Sequence, residues 1–208
     1  MGRVIIAFYD NFDSACEVIK ALIDKGIRDN SISLVAHESA CERTWSSSRA
    51  KLPGFFKQPL SMNLSGIGPV LILGYLVKTF CSNGSTQKSL VNILEMDMIP
   101  KVDAHAYTEG VRRRGVLVLV KADAAGSIRA LNILEQSCPV DIQDLSNYWR
   151  KNGWTHFDET AKPLANRCLN WPSCITGLPG DGLLDNENLA NWPQNMVNQW
   201  SNFNWWND

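Results

Sequence analysis

The sequence has no excess of charge of either sign, because 20 Lys and Arg residues stand against 21 Asp and Glu residues, for a formal net charge of −1. Proteins that bind nucleic acid or acidic membranes through general electrostatics carry concentrated positive charge. The near balance therefore argues against nucleic acid as a partner, and it gives no indication of a basic partner.

Long hydrophobic runs are also missing. The longest, residues 64–77, has about 14 residues, whereas a membrane-spanning helix needs about 20. Because Gly66, Gly68, Pro69 and Gly74 interrupt this run, we interpret it as a buried or interfacial hairpin. The first residues, MGRVIIAFYD, read as a strand and not as a secretory signal. We therefore expect a cytoplasmic protein whose six cysteines are reduced thiols.

No group of residues has the spacing of a catalytic or metal site. Cys168 and Cys174 match neither the redox nor the usual zinc spacing. His37, His105 and His156 are separated by whole elements and have no neighbouring residue at the spacing of a triad. The glycines of the apolar run lack the Gly-Lys-Ser or Gly-Lys-Thr ending of a phosphate loop, so they indicate a close-packing turn. We expect no catalytic residue, no metal and no cofactor.

What the sequence does contain is a strand, helix, strand pattern that occurs twice. In the first half, residues 4–9 and 32–36 have the β-branched and apolar composition of buried strands. The helix between them is capped by Asp10 or Asn11, carries apolar residues three and four positions apart, and ends at Gly26.

In the second half, residues 116–120 and 140–142 are the predicted strands, and Asp123 caps the helix between them. One face of that helix is marked by Ile128, Leu131, Leu134 and Glu135. Two such halves can pair four strands into one antiparallel sheet covered by two helices. This is the ferredoxin-like, split β-α-β arrangement of the α+β class.

An insertion of about 78 residues separates the two halves, where this arrangement normally has a short hairpin. Residues 38–65 are rich in Ser and read as an irregular surface excursion. From there to Gly115 the composition favours helices, with one starting near Pro69, one over residues 85–98 and one over residues 101–114. We expect a small helical subdomain packed against the sheet.

The segments GPVLILGYL, AHAYTEGVRRRGVLVLVKAD and SCPVDIQ resemble the bacterial general-stress, or heat-induced stress, protein domain family of the YflT type. The resemblance covers residues 3–144. It implies an opening β-α-β unit, an apolar helical insertion with Gly and Pro, and a tyrosine followed by Glu-Gly-hydrophobic-Arg-Arg-Gly-Gly before the third strand. Here the motif is Tyr107, Glu109, Gly110, Val111, Arg112, Arg113, Arg114 and Gly115, with Arg114 where the family commonly has glycine. The resemblance implies a role in stress responses and no particular reaction.

The arginines at the end of this motif are open to three interpretations. Glu109 lies three and four residues before Arg112 and Arg113, so the side chains can pair on a helix, and positive charge there is favourable to the helix dipole. Alternatively, Arg112, Arg113 and Arg114 grip an anionic or phosphate-bearing ligand at the sheet edge, with Tyr107 and Glu109 beside it. In the third interpretation the same arginines dock another protein.

The last third of the chain is rich in tryptophan, since seven of the eight Trp residues follow Asp144. Trp is enriched among the residues that dominate protein interfaces. The candidate partner-binding residues are Trp171, Trp192, Trp200, Phe203, Trp205 and Trp206. The tail either wraps its own domain or a symmetry mate, docks onto a larger partner, or anchors at a membrane interface, for which it lacks supporting Lys and Arg.

These features predict a ferredoxin-like domain over residues 1–160 and a mostly irregular partner-binding tail over residues 161–208. The favoured function is a non-enzymatic cytoplasmic, stress-associated accessory protein that forms a homo-oligomer or docks onto a larger protein assembly through the tail. The alternative is a sensor of a small anion or nucleotide-like ligand at the edge formed by Arg112, Arg113 and Arg114.

Overall fold

The computed structural model describes residues 3–41, 52–81 and 89–164, with only the backbone of residues 55 and 57. They form an α+β fold with an open five-stranded antiparallel sheet. The strands are β1 (Arg3–Tyr9), β2 (Ile32–His37), β3 (Leu60–Leu64), β4 (Gly68–Gly74) and β5 (Val116–Ala122). The α-helices are α1 (Phe12–Asp24), α2 (Glu38–Cys41), α3 (Leu76–Cys81), α4 (Leu90–Met96), α5 (Lys101–Arg112), α6 (Ala124–Gln136) and α7 (Ile142–Lys151).

Several expectations fall on residues that the structure does not describe. They concern residues 42–51 of the irregular excursion, the first part of the predicted helix over residues 85–98, and the tail beyond residue 164. The tail includes every candidate partner-binding residue, namely Trp171, Trp192, Trp200, Phe203, Trp205 and Trp206. These expectations stay predictions.

The sheet has the order β1-β5-β2-β4-β3. Strand β5 pairs antiparallel with both β1 and β2, so that Val118 lies opposite Ala7 on one side and opposite Leu34 on the other. Strands β1 and β2 therefore run in the same direction with β5 between them. The three strands predicted over residues 4–9, 32–36 and 116–120 are confirmed, with ends that differ by one or two residues.

The number of strands differs from the predicted four, because part of the insertion joins the sheet. Strands β3 and β4 form a hairpin, and β4 pairs with β2 so that Ile72 lies opposite Val35. The apolar run is thus part of a hairpin, as one interpretation proposed, and the expected helix start near Pro69 is wrong. A continuous run of large apolar residues is compatible with a buried strand as well as with a helix. The positive φ angles of Gly66 (74°) and Gly68 (103°) allow the tight turn here.

The predicted strand over residues 140–142 is also wrong. Asp141 caps α7 instead, since its carboxylate accepts the backbone N–H groups of Gln143 at 2.7 Å and Asp144 at 3.3 Å. A single backbone hydrogen bond connects this segment to the sheet edge, from the Val140 N–H to the Phe8 carbonyl at 2.7 Å. Val140 thus lies beside β1, where the fourth strand was expected, without forming a strand.

One face of the sheet packs against α1 and α6. Helix α1 begins after Asn11, whose side chain accepts the Ser14 N–H at 2.8 Å, as predicted. The expected face of α6 is only partly right, because Ile128 and Leu131 are 65% and 46% exposed. The buried side of α6 is formed by Gly126, Ser127, Ala130 and Leu134. Small residues bring this helix close to the sheet, which turns the larger apolar side chains outward.

The opposite face of the sheet is covered by α5, which packs against β2 and β5 and is flanked by α4 and α7. On α5, Val102 is 60% exposed, whereas Ala106 and Val111 are buried. Helix α5 was expected to extend to residue 114 and ends at Arg112. Within the described residues, no helix has the length and apolar character needed to cross a membrane.

Candidate functional site

The end of α5 lies unusually close to the sheet because two glycines face Phe8. A Cβ atom at Gly110 would lie 2.5 Å from Phe8 Cζ, and one at Gly115 would overlap the same ring. The Tyr107 ring also lies near Phe8, with the two ring centroids 6.4 Å apart. The glycines of the Tyr-x-Glu-Gly motif are therefore required by the approach of a helix to an aromatic side chain.

The buried carboxylate of Glu109 holds the first two arginines of the motif. Its Oε1 accepts a hydrogen bond from Arg113 Nε at 2.7 Å, and its Oε2 accepts one from Arg112 Nη1 at 3.3 Å. Glu109 is completely buried, so its negative charge depends on these two partners. The guanidinium of Arg113 also lies over the ring of Trp149, 4.9 Å from its centroid. The predicted pairing of Glu109 with Arg112 and Arg113 is confirmed.

The outer donors of the arginine cluster, which we define as Arg112, Arg113 and Arg114, contact the chain that follows α7. Arg112 Nη2 donates to the Lys162 carbonyl at 2.9 Å, and Arg114 Nη2 donates to the Leu164 carbonyl at 2.6 Å. The cluster therefore binds a segment of its own chain. An anion at this edge would compete with two backbone carbonyls, and the anion-site hypothesis stays a prediction.

Arg114 has a backbone conformation that favours glycine. Its φ angle is +80°, in the left-handed region that a side chain with a Cβ atom rarely adopts. This is the position at which the resemblance indicates glycine. Its side chain is nevertheless buried and donates to the carbonyls of Leu164 and, at 3.4 Å, of Arg112. The contact with the chain after α7 is thus made from a strained backbone position.

The same C-terminal segment covers the hairpin turn between β3 and β4. A Cβ atom at Gly66 would lie 2.7 Å from the Asp158 carbonyl oxygen, and one at Gly68 would lie 3.3 Å from the Pro163 side chain. We call residues 157–164 the C-terminal strap, because the arginine cluster holds one end and the hairpin turn supports its length. The interpretation of Gly66 and Gly68 as a close-packing turn is confirmed.

His37 is buried at the end of β2, below the strap. Its Nδ1 accepts the Ser39 N–H at 3.1 Å, and its Nε2 lies 3.2 Å from where a Cβ of Gly68 would be. Burial, with a smaller contribution from the charge of Arg114, lowers the pKa of His37 to about 4. The imidazole is therefore neutral at physiological pH.

Tyr107, a candidate ligand contact, is half-buried, as expected for a packing residue. Burial raises the pKa of Tyr107 to about 12, and the negative charges of Asp103 and Asp141 act in the same direction. The phenol therefore stays protonated at neutral pH and can donate a hydrogen bond there, but it cannot serve as a base.

A second arrangement, which the sequence did not reveal, lies between the start of α5 and the segment after α7. The rings of His105 and His156 meet edge to face, with their centroids 5.9 Å apart. They open onto a cleft of about 380 Å³, which we call the histidine cleft. The cleft is lined by Lys101, Val102, His105, Arg150, Trp154, Thr155 and His156.

The electrostatic environment of the histidine cleft is positive. Partial burial lowers the pKa of His105, and the neighbouring charges of His156 and Lys101 lower it further. Glu95 and the Phe157 backbone act in the opposite direction. Among the described residues that line the cleft, none is acidic.

Trp154 forms the aromatic wall of the cleft. Its ring meets Trp149 edge to face at 5.7 Å, and the Arg150 guanidinium lies 5.5 Å from its centroid. These contacts hold Trp154, which follows α7, against that helix, and Trp154 lines the cleft together with residues at the start of α5. No spacing along the sequence signals this arrangement, because it arises only when α7 packs against α5. Among the features visible in the sequence, the adjacent residues Gly153 and Trp154 come nearest to indicating this cleft.

In the part of the chain that the structure describes, no three His, Cys, Asp or Glu side chains are grouped so as to hold a metal ion. Comparison of the chain with protein-family models, with curated proteins and with solved structures found no significant match in any of the three.

Proposed function

We propose that this chain is a non-enzymatic, cytoplasmic accessory protein of the stress-associated type, which docks onto a larger protein assembly through the Trp-rich residues after position 164. The observation that carries the proposal is the contact of Arg112 and Arg114 with the carbonyls of Lys162 and Leu164. These bonds hold residues 162–164, directly before the Trp-rich residues, against the end of α5. We propose that this anchorage reduces the conformational freedom that is lost on binding a partner.

The composition of the tail supports an interface role. It presents Trp171, Trp192, Trp200, Phe203, Trp205 and Trp206 among Asn, Pro and Gly, with little charge. Large aromatic side chains contribute much of the binding energy at protein interfaces. We propose these six residues as the partner-binding set.

The relation to the ferredoxin-like stress family is part of the same proposal. The order β1-β5-β2 and the single hydrogen bond from Val140 to the edge of β1 support a split β-α-β arrangement whose last strand has been lost. The left-handed conformation of Arg114 supports the resemblance at the one motif position where the residue differs.

The test is affinity purification from native cell extract with three forms of the protein. The forms are the full chain, a chain ending at Ala165, and a full chain with the six aromatic residues replaced by Ser. Ending at Ala165 keeps both carbonyls that the arginine cluster contacts. A defined protein that co-purifies only with the unchanged full chain supports the proposal.

A matched control replaces Asn195, Asn198 and Asn202 by Ser, which changes the same part of the tail without removing an aromatic side chain. This control should retain the partner. Native mass measurement of the same samples tests the proposed homo-oligomer. If all forms retrieve the same proteins, or none retrieves any, the docking function is wrong.

The alternative proposal, a small-anion sensor at the arginine cluster, is distinguished by ligand-induced thermal stabilisation. Replacing Arg112, Arg113 and Arg114 together by Ala should abolish that stabilisation, whereas removal of the tail after Ala165 should leave it unchanged. The observation in its favour is that three consecutive arginines lie between the end of α5 and the start of β5, with the Nη2 atoms of Arg112 and Arg114 directed at oxygen acceptors.

A further inference from the structure

The histidine cleft is a concave site in which the charged side chains have one sign. Lys101 at the start of α5 and Arg150 on α7 carry permanent positive charge and line it together with His105 and His156. Arg150 Nη1 donates to Ser146 at 3.1 Å and to Asn147 at 3.2 Å, which holds its side chain along α7. Cations that line one cleft without a lining carboxylate form an environment that favours an anion.

The same cleft has an apolar part. Val102 is 60% exposed there, and the half-buried ring of Trp154 forms the adjacent wall. Val102 is exposed, whereas the other apolar side chains of α5 are buried or half-buried. The cleft volume of about 380 Å³ is at the lower end of the range for small-molecule sites.

The two histidines add positive charge to this cleft when they are protonated. Their rings are 5.9 Å apart, so protonation of one disfavours protonation of the other. The groups that act on His105 are His156, Lys101 and Glu95, together with the Phe157 backbone. The neighbours of His156 are Thr155 and Asp158. Thr155 Oγ1 lies 2.9 Å from His156 Nδ1, and the charge of His156 acts on the carboxylate of Asp158. An anion between the rings would offset the repulsion between two protonated imidazoles.

We infer that the histidine cleft binds a small organic anion, with its carboxylate or phosphate group between Lys101, Arg150 and the two imidazoles, and with its apolar or planar group against Val102 and Trp154. Binding favours the protonated form of His105, so affinity rises as pH falls. This site is separate from the arginine cluster and does not depend on the proposed docking function.

The experiment uses the full chain labelled in its histidine rings, observed by NMR during titration with benzoate. Benzoate carries one carboxylate on a planar ring and stays ionised above about pH 5. The chain has three histidines, so the spectrum contains few ring signals, and buried His37 serves as an internal reference. Benzamide, which has the same shape without charge, and acetate, which has the charge without the ring, are the comparison probes.

The expected result is a saturable shift of the His105 and His156 signals with benzoate and none at His37. The affinity for benzoate at pH 6 should exceed that at pH 8 by about fivefold, because protonated imidazole is more abundant at the lower pH. Benzamide and acetate should each bind at least about fivefold more weakly than benzoate, since each lacks one of the two recognised groups.

Three variants assign the binding to this cleft. Arg150→Met and Lys101→Met each remove one cation while keeping an apolar stem, and each should weaken benzoate binding by about fivefold. Lys151→Met removes an exposed positive charge next to Arg150 that does not line the cleft, and it should leave the affinity unchanged. Dispersed NMR spectra confirm that each variant is folded.

Three outcomes would overturn the inference. The first is the absence of a saturable shift with benzoate at either pH. The second is equal binding of benzamide, which would make the cleft a purely apolar site. The third is an equal effect of Lys151→Met and Arg150→Met, which would assign the binding to general surface charge.

Discussion

The Nε atom of Arg113 lies 2.7 Å from Oε1 of Glu109, at the point where α5 ends. The carboxylate is completely buried, and Arg112 reaches its second oxygen at 3.3 Å. A buried carboxylate stabilises a fold only while it is paired, because burial removes its hydration. The arrangement of the arginine cluster therefore depends on Glu109.

Replacing Glu109 by Gln should lower the free energy of unfolding by about 3 kcal/mol, because two arginines lose their shared negative partner. Urea unfolding followed by circular dichroism measures the change. The matched control is Glu135→Gln, an exposed residue on α6, which should stay within about 0.5 kcal/mol of the unchanged protein. Equal stability of the two variants would contradict the role of Glu109.

Replacing Gly115 by Ala tests the close contact between α5, β5 and Phe8. The new Cβ atom would overlap Phe8 Cζ, so the variant should lose about 2 kcal/mol of stability. Adding Phe8→Leu to Gly115→Ala should cost less than the sum of the two single changes, because it makes room for the methyl group. Gly54→Ala, where no atom lies within 4 Å of the added Cβ, is the control and should be close to neutral. Additive single effects would refute the contact.

The elements that sequence reasoning located correctly are those whose pattern has only one interpretation. The three strands β1, β2 and β5 and the helices α1 and α5 have clear apolar periodicity or strong caps. By contrast, the run that contains β4 is apolar on both faces, so its periodicity fits a helix as well as a strand. Only pairing with β2 decides between them.

The orientation of α6 was predicted wrongly at Ile128 and Leu131 for a related reason. Hydrophobicity identified the largest apolar side chains as the buried face, whereas the sheet accepts the small side chains of Ser127 and Ala130. The available distance between helix and sheet, which the sequence does not state, decides which face is buried.

Of the candidate site, the pairing of Glu109 with Arg112 and Arg113 could be predicted because it is local, at helical spacings of three and four. The contacts of the arginines with residues 162–164 could not, since these depend on the path of the chain after α7. The meeting of His105 and His156 has the same origin and has no local signal.

Changing Arg114 to Gly and to Ala separates backbone strain from side-chain contact. Both changes remove the hydrogen bond to Leu164, but only Gly relieves the strain of a φ angle of +80°. We therefore expect Arg114→Gly to be more stable than Arg114→Ala by about 1 kcal/mol, measured by urea unfolding. At an ordinary φ angle the order is reversed, so Ala above Gly would contradict the assigned conformation.

Both Arg114 variants should loosen the C-terminal strap. Because the carbonyl of Leu164 loses its donor, amide hydrogen exchange and limited proteolysis near residues 162–164 should become faster than in the unchanged protein. The free energy of opening measured by exchange in β5, which lies inside the sheet, should fall by no more than the free energy of global unfolding falls. Unchanged exchange in the strap would refute the role of Arg114 in holding it.

The buried state of His37 predicts how stability depends on pH. The unfolded chain binds a proton on this imidazole near pH 6.5, whereas the folded protein does so only near pH 4. Between these values the unfolded state therefore carries the additional proton, so the contribution of His37 is fully present above pH 6.5 and is lost as pH falls towards 4.

Replacing His37 by Asn should remove this pH dependence while keeping an acceptor for the Ser39 N–H. Urea unfolding at pH 7 and pH 5 should show that the unchanged protein loses about 2 kcal/mol more stability over this interval than the variant. The comparison between the two proteins cancels the titration of carboxylates, which is common to both. Equal losses would mean that water reaches His37 in the folded state, and burial as the cause of its lowered pKa would be wrong.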